Sequence, residues 1–280
     1  MKHLLITDLD GTLLGPDSRV SDDSARIITE LTHKGALITV ATARTPATVE
    51  PLLHNTLTTL PAIVMTGAAM WDRENRLYIN PLLLSRQQTE SLISAYLRHG
   101  VHPFTYTLED NGDMLVHHCK EMSDEEQMFY VERKHLTLKH FIFDNEQCHT
   151  SPYTNAILML GIGDTPRIKA LAEELSTDLQ LSVSAYPDLA SRDISYIEVF
   201  RCGVSKAAAV LKLKSFLGAD RLTVYGDHLN DLPMFAVADE SVAVSNALPE
   251  VLSAASRIIG PNTLPSVAMD MSTALSFKLK

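Results

Sequence analysis

Near the start of the chain, short continuous apolar runs alternate with stretches of helical spacing. Residues 4–6, 36–41 and 62–65 lack the polar alternation of a half-exposed strand and read as strands covered on both faces. Between the first two, Ser21 stands as the N-cap of a helix running to Lys34, with Ile27, Ile28 and Leu31 at helical spacing and Gly35 ending it. Pro46 suits the first position of a second helix. The order β-α-β-α-β predicts a parallel sheet with right-handed crossovers.

From about Leu82 the vocabulary becomes antiparallel. Residues 87–98 predict a helix stopped by Gly100, and 104–108 and 114–119 flank the hairpin turn Asp110-Asn111-Gly112-Asp113. A polar segment at 121–134 precedes a strand at 156–162, a helix at 166–179, and strands at 181–186 and 194–200. The parallel pattern then returns, with a helix from Lys206 to Leu217, strands at 222–225, 241–244 and 257–259, and helices starting at Pro233 and Pro249. The expected fold class is α/β: a doubly wound, mainly parallel, Rossmann-like core sheet from residues 1–82 and 199–280, with an inserted α+β cap at 83–198.

Composition narrows the picture. With 280 residues, 45% of them hydrophobic, and only 12 Gly and 13 Pro, the chain can bury a large core and is not disordered. Lys2 and His3 precede an apolar run too short for a signal peptide, and no stretch approaches a bilayer-spanning length, so a soluble, cytoplasmic protein is expected. Cys119, Cys148 and Cys202 are odd in number and lack C-x-x-C spacing, which argues for reduced thiols and against a disulfide framework or a zinc site. A formal charge of −10 without a basic cluster argues against nucleic acid or an anionic membrane as partner. His117-His118-Cys119 superficially suggests a metal, but neighbouring strand residues point to opposite faces and are not expected to share one ion.

The candidate chemistry sits where the apolar runs end. Asp8 and Asp10 follow the first run at a strand's carboxyl end, the edge at which open α/β sheets bind ligands. Gly11 allows a sharp turn after them, and Thr12 is expected to bond the turn's own backbone, leaving both carboxylates in one small space. Such a pair repels itself unless a cation is bound or one carboxyl keeps its proton. A hard oxygen site with few protein ligands suits Mg2+ shared with a phosphate, whereas a plain turn or cap is the competing reading. Thr42-Ala43-Arg44-Thr45, before Pro46, offers a hydroxyl and free backbone N–H groups, either as a phosphate corner or as a simple cap. Lys206, at a helix start, is expected by itself to reach outwards into solvent. A second acidic cluster, Gly226-Asp227-His228-Leu229-Asn230-Asp231, closes a later strand.

Taken together, Asp8-Leu9-Asp10-Gly11-Thr12, Thr42 with Arg44, Lys206, and Gly226-Asp227 with Asn230-Asp231 resemble the haloacid dehalogenase-like phosphatases, in the Cof-type branch with a large inserted cap. The resemblance covers nearly the whole chain, in the family's order and spacing. It implies a Mg2+-dependent phosphomonoester hydrolase acting through an aspartyl-phosphate on small phosphorylated metabolites, sugar phosphates among them. By that likeness Asp8 would be the nucleophile, and Asp10 the acid that protonates the leaving oxygen and then activates water. Leu9, Thr42, Ala43, Arg44, Lys206 and Asn230 would hold the phosphate. Mg2+ would be bound by Asp8, the main-chain carbonyl of Asp10 and Asp227, with Asp231 close by or acting through water. The cap would be a lid that carries specificity, on a monomer or weak homo-oligomer.

A phosphotransferase or mutase with the same intermediate is the alternative reading. A catalytically silent phosphate-binding regulator would be marked by loss of Asp8 or Asp10, and both are present. Against the family's usual pattern, Ala43 and Ala207 stand where glycine is common, Thr66 replaces asparagine, and Ser245 replaces glycine. Thr66 and Ser245 bear on the shape of the pocket and hence on substrate choice.

Overall fold

The computed structural model describes residues 2–143, 151–188 and 191–275. The chain divides into two compact units, Met1–Asn80 with Ser205–Lys280, and Pro81–Val204. The first unit begins with β1 (His3–Thr7), α1 (Asp22–His33), β2 (Leu37–Val40), α2 (Pro46–Leu52) and β3 (Ala62–Val64). Ser21 caps α1 by accepting the Ser24 N–H at 3.2 Å, and Asp22 and Asp23 complement the positive end of the helix. β3 meets β2's end through a single parallel bridge, Ala41 to Ile63, and turns instead into an antiparallel hairpin with β4 (Ala69–Asp72) and β5 (Leu77–Ile79).

Antiparallel structure therefore starts inside the first unit, earlier than the expected change at Leu82. Its β4–β5 turn carries no glycine. Asp72 accepts the N–H groups of Glu74 and Asn75, and Arg76 takes a φ of 54°, so a side chain supplies what an Asn-Gly pair would have signalled.

The second unit holds α3 (Arg86–Arg98), β6 (Phe104–Leu108), β7 (Met114–His118), α4 (Asp124–Arg133), β8 (Lys139–Phe143), β9 (Ala156–Asp164), α5 (Thr165–Leu175), β10 (Leu181–Pro187) and β11 (Ile194–Arg201). Its strands form one sheet in the order β10-β11-β9-β6-β7-β8, antiparallel except for the β7–β8 pair. One sheet face, with Met159, Ile197 and Val199, packs against Leu92, Ala95 and Tyr96 of α3 and Ile168 and Leu171 of α5.

Three expectations need correction in this unit. The polar 121–134 segment contains helix α4, closed by a reciprocal cap in which Ser123 accepts the Glu126 N–H and Glu126 accepts the Ser123 N–H. That Ser-x-x-Glu signal is legible, but Met128 to Val131 bunch their apolar side chains and blur the period. Helix α5 stops at Leu175 rather than 179, and β8 was not anticipated. His117 and His118 do take opposite faces: His117 Nε2 lies 3.1 Å from Thr107 Oγ1, and the His118 ring stacks on Phe104 at 3.9 Å. Cys119 and Cys202 form no disulfide among the described residues, and Cys148 lies outside them.

The chain then re-enters the first unit through α6 (Lys206–Leu217), β12 (Arg221–Gly226), α7 (Leu232–Val237), β13 (Glu240–Val244), α8 (Pro249–Ala254), β14 (Arg257–Ile259) and an unanticipated last helix, α9 (Ser266–Ala274). The core sheet is wholly parallel in the order β14-β13-β12-β1-β2. From β1 the chain steps towards β2 and β3, and from β12 it steps the other way. Right-handed crossovers then put the helices of the two halves on opposite faces. The reversal between β1 and β12 is the switch point where an α/β sheet opens a crevice at its strands' carboxyl ends.

Candidate active site

The loops leaving β1, β2 and β12 are neighbours at that edge. Asp8 leaves β1 directly, and its N–H donates to Tyr225 O at 2.9 Å, so the sheet ladder itself places it. Its side chain is buried, at 8% exposure. Lys206 opens α6, and its Nζ donates to Asp8 Oδ1 at 2.5 Å and to Asp231 Oδ1 at 2.7 Å.

Lys206 is thus buried, at 1% exposure, and does not reach into solvent as expected. The close seating of the α6 start explains this. Gly67 has a φ of 96°, and a Cβ there would overlap the Ser205 carbonyl, so the turn after β3 abuts the N-terminus of α6. Ser205 caps the helix by accepting the Ala208 N–H at 3.1 Å. Two carboxylates then compensate an ammonium that burial alone would disfavour.

Asp231 is fully buried and organises its own loop. Its Oδ2 accepts the N–H groups of Asp227 at 3.0 Å and His228 at 3.1 Å, and a Cβ on Gly226 would sit 2.6 Å from the same oxygen. Asp227 Oδ1 accepts from Thr12 Oγ1 at 2.8 Å, so Thr12 bonds across to the second acidic loop and not to its own turn. Gly11, at a φ of 74°, lies so close to the Asp227 carboxylate that no side chain would fit there.

Asp8, Asp227 and Asp231 present carboxylate oxygens within 4.8 Å of one another. Asp10 is not of that group. Its half-exposed carboxylate is gripped by Arg44, whose Nε donates to Oδ2 at 2.7 Å and Nη2 to Oδ1 at 2.5 Å. The small space expected to hold Asp8 with Asp10 holds Asp8 with Asp227 and Asp231, because the turn over Leu9–Leu13 carries the Asp10 side chain towards Arg44.

Charge follows geometry. Burial pushes the Asp8 carboxyl up to about 7, against the downward pull of Lys206 and with an upward push from Asp231 and Asp227. Burial also raises Asp227, partly offset by the Thr12 hydrogen bond. Burial disfavours the Lys206 ammonium, but Asp8 and Asp231 outweigh it and hold it above its ordinary range. Among the described residues, three buried or half-buried carboxylates face a single ammonium, so the cluster keeps surplus negative charge. An all-oxygen donor set of that charge fits a hard divalent cation such as Mg2+. Asp8 and Asp227 have the free oxygen capacity for direct contact, since both oxygens of Asp231 are engaged by Lys206 and two backbone N–H groups.

Beside this cluster, Thr42 is buried and its Oγ1 accepts the Arg44 N–H at 3.2 Å. Ala43 is exposed, Leu9 is buried, and Asn230 is exposed on the loop after β12. Thr45, the other cap candidate, makes no side-chain cap, and its hydroxyl is buried without a partner among the described residues. The turn after β3 clamps this corner, with Met65 N–H donating to Arg44 O and Thr66 N–H to Thr42 O, each at 3.0 Å. The clamp is strained, because Met65, Thr66 and Gly67 take φ of 49°, 57° and 96° in succession.

A β-branched residue in the left-handed region is costly, and asparagine tolerates it better. Thr66→Asn should therefore raise stability by about 1 kcal/mol. Chemical denaturation with an unchanged m-value checks this, and equal or lower stability would show that Thr66 is not strained.

Two asparagines tie the β1 loop in place and were missed as site residues. Asn246 Nδ2 donates to Gly11 O at 2.8 Å while its Oδ1 accepts the Asn262 N–H at 2.9 Å, and Asn262 Nδ2 donates to Leu14 O at 2.8 Å. Each follows a core strand by a few residues, and that position at the sheet's carboxyl edge was the available signal.

Comparison with known proteins gives the family and the fold. The sequence model of the haloacid dehalogenase-like hydrolases matches residues 5–270. The chain is 26% identical over 269 residues to a 5-amino-6-(5-phospho-D-ribitylamino)uracil phosphatase of Bacillus subtilis, covering 95% of this chain and 92% of that protein. It is 23% identical over 274 residues to the pyridoxal phosphate phosphatase of Escherichia coli, covering 95% and 96% of the two chains. Its fold is that of a haloacid dehalogenase-like hydrolase from Bacteroides thetaiotaomicron, with a TM-score of 0.78 at 19% identity over 98% of this chain and 100% of that one.

Proposed function

Because the chain belongs to the haloacid dehalogenase-like hydrolase family, we propose that it is a phosphomonoesterase for small phosphorylated metabolites, working through a phosphorylated Asp8. The observation that carries this reading is the buried Asp8 carboxylate at the sheet's switch point, with one oxygen held by Lys206 and the other left for attack. The relatives' names, which concern phosphate on a ribityl chain and on pyridoxal, support the substrate class.

A carboxylate approaching a phosphate dianion meets like-charge repulsion, so positioning and neutralisation dominate. Asp8, Asp227 and the main-chain carbonyl of Asp10, with Asp231 close by, would hold Mg2+, which would supply part of that neutralisation. Lys206 supplies the rest while fixing Asp8. The free oxygen of Asp8 attacks phosphorus, the ester P–O bond breaks, and the departing alcohol oxygen takes a proton from Asp10. Water then attacks the aspartyl-phosphate, Asp10 takes its proton, and inorganic phosphate leaves with Asp8 restored. Thr42, the N–H groups at Leu9 and Ala43, and Asn230 would steady the phosphoryl oxygens.

Arg44 occupies both oxygens of Asp10 at rest. Proton transfer requires that pair to open, and an arriving phosphate competes for the same guanidinium.

Asp10→Asn separates the two half-reactions. An activated aryl phosphate needs little acid help to phosphorylate Asp8, whereas water attack loses its base and slows by roughly a hundredfold or more. The variant, given Mg2+ and 4-nitrophenyl phosphate, should accumulate an acid-stable, hydroxylamine-labile phosphoprotein detectable by intact mass. In wild type, label should end in free phosphate even with a sugar acceptor present, and chelation should stop turnover. No phosphoprotein at Asp8, or label transferred mainly to the sugar, would sink the hydrolase reading.

A further inference from the structure

Local sequence does not fix the turn that carries Asp10. Asp10, at φ −69° and ψ 125°, and Gly11, at φ 74° and ψ −9°, take the two central conformations of a type II turn. The type I alternative rotates the peptide between them, and glycine at the second centre adopts either sign of φ at little cost. Contacts from elsewhere in the same compact unit therefore select and hold one form.

The two asparagines that follow β13 and β14 make those contacts. Asn246 Nδ2 reaches the Gly11 carbonyl, inside the turn and 235 residues away, at 2.8 Å. Asn262 Nδ2 reaches the Leu14 carbonyl, just past the turn, also at 2.8 Å. The Asn262 N–H donates to Asn246 Oδ1 at 2.9 Å and joins the two anchors, so both ends of the Asn246 amide are engaged although the residue is exposed. In the same β13 loop, the Leu248 N–H donates to Asp227 O at 3.0 Å, which ties this loop to the second acidic cluster as well. The Asp10 carboxylate itself is held by Arg44, and once that pair opens the backbone of the turn is what aims it.

We propose that Asn246, steadied by Asn262, is a positioning residue for the proton transfers of Asp10: it pins the turn so that the freed carboxyl meets the leaving oxygen and then the attacking water. The inference rests on the phosphatase reading above. Asp8 does not depend on this tether, because the sheet ladder places it through its N–H to Tyr225 O. Loss of the tether therefore acts on proton transfer and leaves attack on a good leaving group nearly untouched. A misplacement of about 1 Å caused by a change away from the reacting atoms costs up to roughly a hundredfold in rate.

The test is the dependence of kcat/KM on the leaving group over substituted phenyl phosphates, from 4-nitrophenyl to 4-methoxyphenyl. This constant reports the steps through phosphorylation of Asp8, and acid help from Asp10 should make the dependence shallow in wild type. Asn246→Ala should steepen it, with the 4-methoxyphenyl ester losing roughly tenfold more than the 4-nitrophenyl ester, a part of the worth of general acid catalysis. Asn246→Asp keeps the shape but sets an oxygen against the Gly11 carbonyl, so it should steepen the dependence at least as much. Asn262→Ala should do so less, since its backbone N–H still holds Asn246. An equal loss on every ester, or no loss, would overturn the proposal. If wild type turns over no ester at all, the phosphatase reading fails first, and hydrogen exchange then decides on the tether separately. The Leu14 amide, bonded to Leu9 O at 2.8 Å, should exchange faster in Asn246→Ala than in wild type, and an unchanged rate overturns the tether.

Discussion

Asp8→Asn is expected to lower turnover of 4-nitrophenyl phosphate by about 10⁴-fold or more, the scale seen when a covalent nucleophile is removed, while the protein still folds. The amide keeps the shape of the side chain but cannot attack phosphorus. Its effect on stability tests the site's electrostatics independently of activity. Burial raises the folded-state carboxyl from 3.8 to about 7 in the metal-free protein. A folded value above the unfolded one means that Asp8 costs nothing below about pH 4 and destabilises increasingly as pH climbs to about 7. The amide does not titrate. In EDTA, the Tm of the variant relative to wild type should therefore rise from pH 4 to 7 and level off above. With Mg2+ the order should shift towards wild type, whose carboxylate holds the ion. Wild-type turnover would end the nucleophile assignment, and a pH-independent Tm difference would remove Asp8 as a buried titrating group.

Lys206→Met has the largest expected cost to the fold. Among the described residues the ammonium is the one cation in hydrogen-bonding contact with both Asp8 and Asp231, and Asp231 has no exposure at all. Removing one partner of a buried ion network leaves uncompensated charge and costs about 3–5 kcal/mol. Methionine fills a similar volume, so the loss reports charge more than packing. Without Lys206 the carboxyl of Asp8 must rise further in the folded state, and stability is then lost as pH increases through that value. The deficit should be largest in EDTA near pH 8 and should shrink towards pH 5, where Asp8 can protonate. Mg2+ should recover part of it, since the ion replaces a missing positive charge. Urea unfolding across that pH range, with and without Mg2+, is the measurement. A deficit that ignores both pH and metal would mean that Lys206 contributes only its methylene packing.

Individual residues show where reading the sequence stops. Asp8 was legible because a continuous apolar strand leads straight into it, and strand-end position depends only on local pattern. The Ser21 cap and the Pro46 helix start were legible for the same reason. Thr12 was misread, since its partner Asp227 is 215 residues away and nothing local distinguishes a hydroxyl that bonds its own turn from one that crosses the crevice. Lys206 was misread in isolation because an exposed lysine is the better prior for any single helix start. Asp10 was misplaced because the direction of a side chain in an irregular turn depends on what stands opposite, here Arg44.

By itself, then, the sequence determines the α/β class, the parallel core with its added α+β unit, and the strand ends that carry acidic, hydroxyl and lysine side chains. These follow from hydrophobic period, caps and turn residues, all of which act within a few positions of the chain. Tertiary structure decides which carboxylates share a space, which cation each faces, and which groups pay desolvation. Asp8 joins Asp227 and Asp231 while Asp10 turns to Arg44. Coulomb energy and burial depend on distances in space between residues far apart in sequence, and only the folded chain sets those distances.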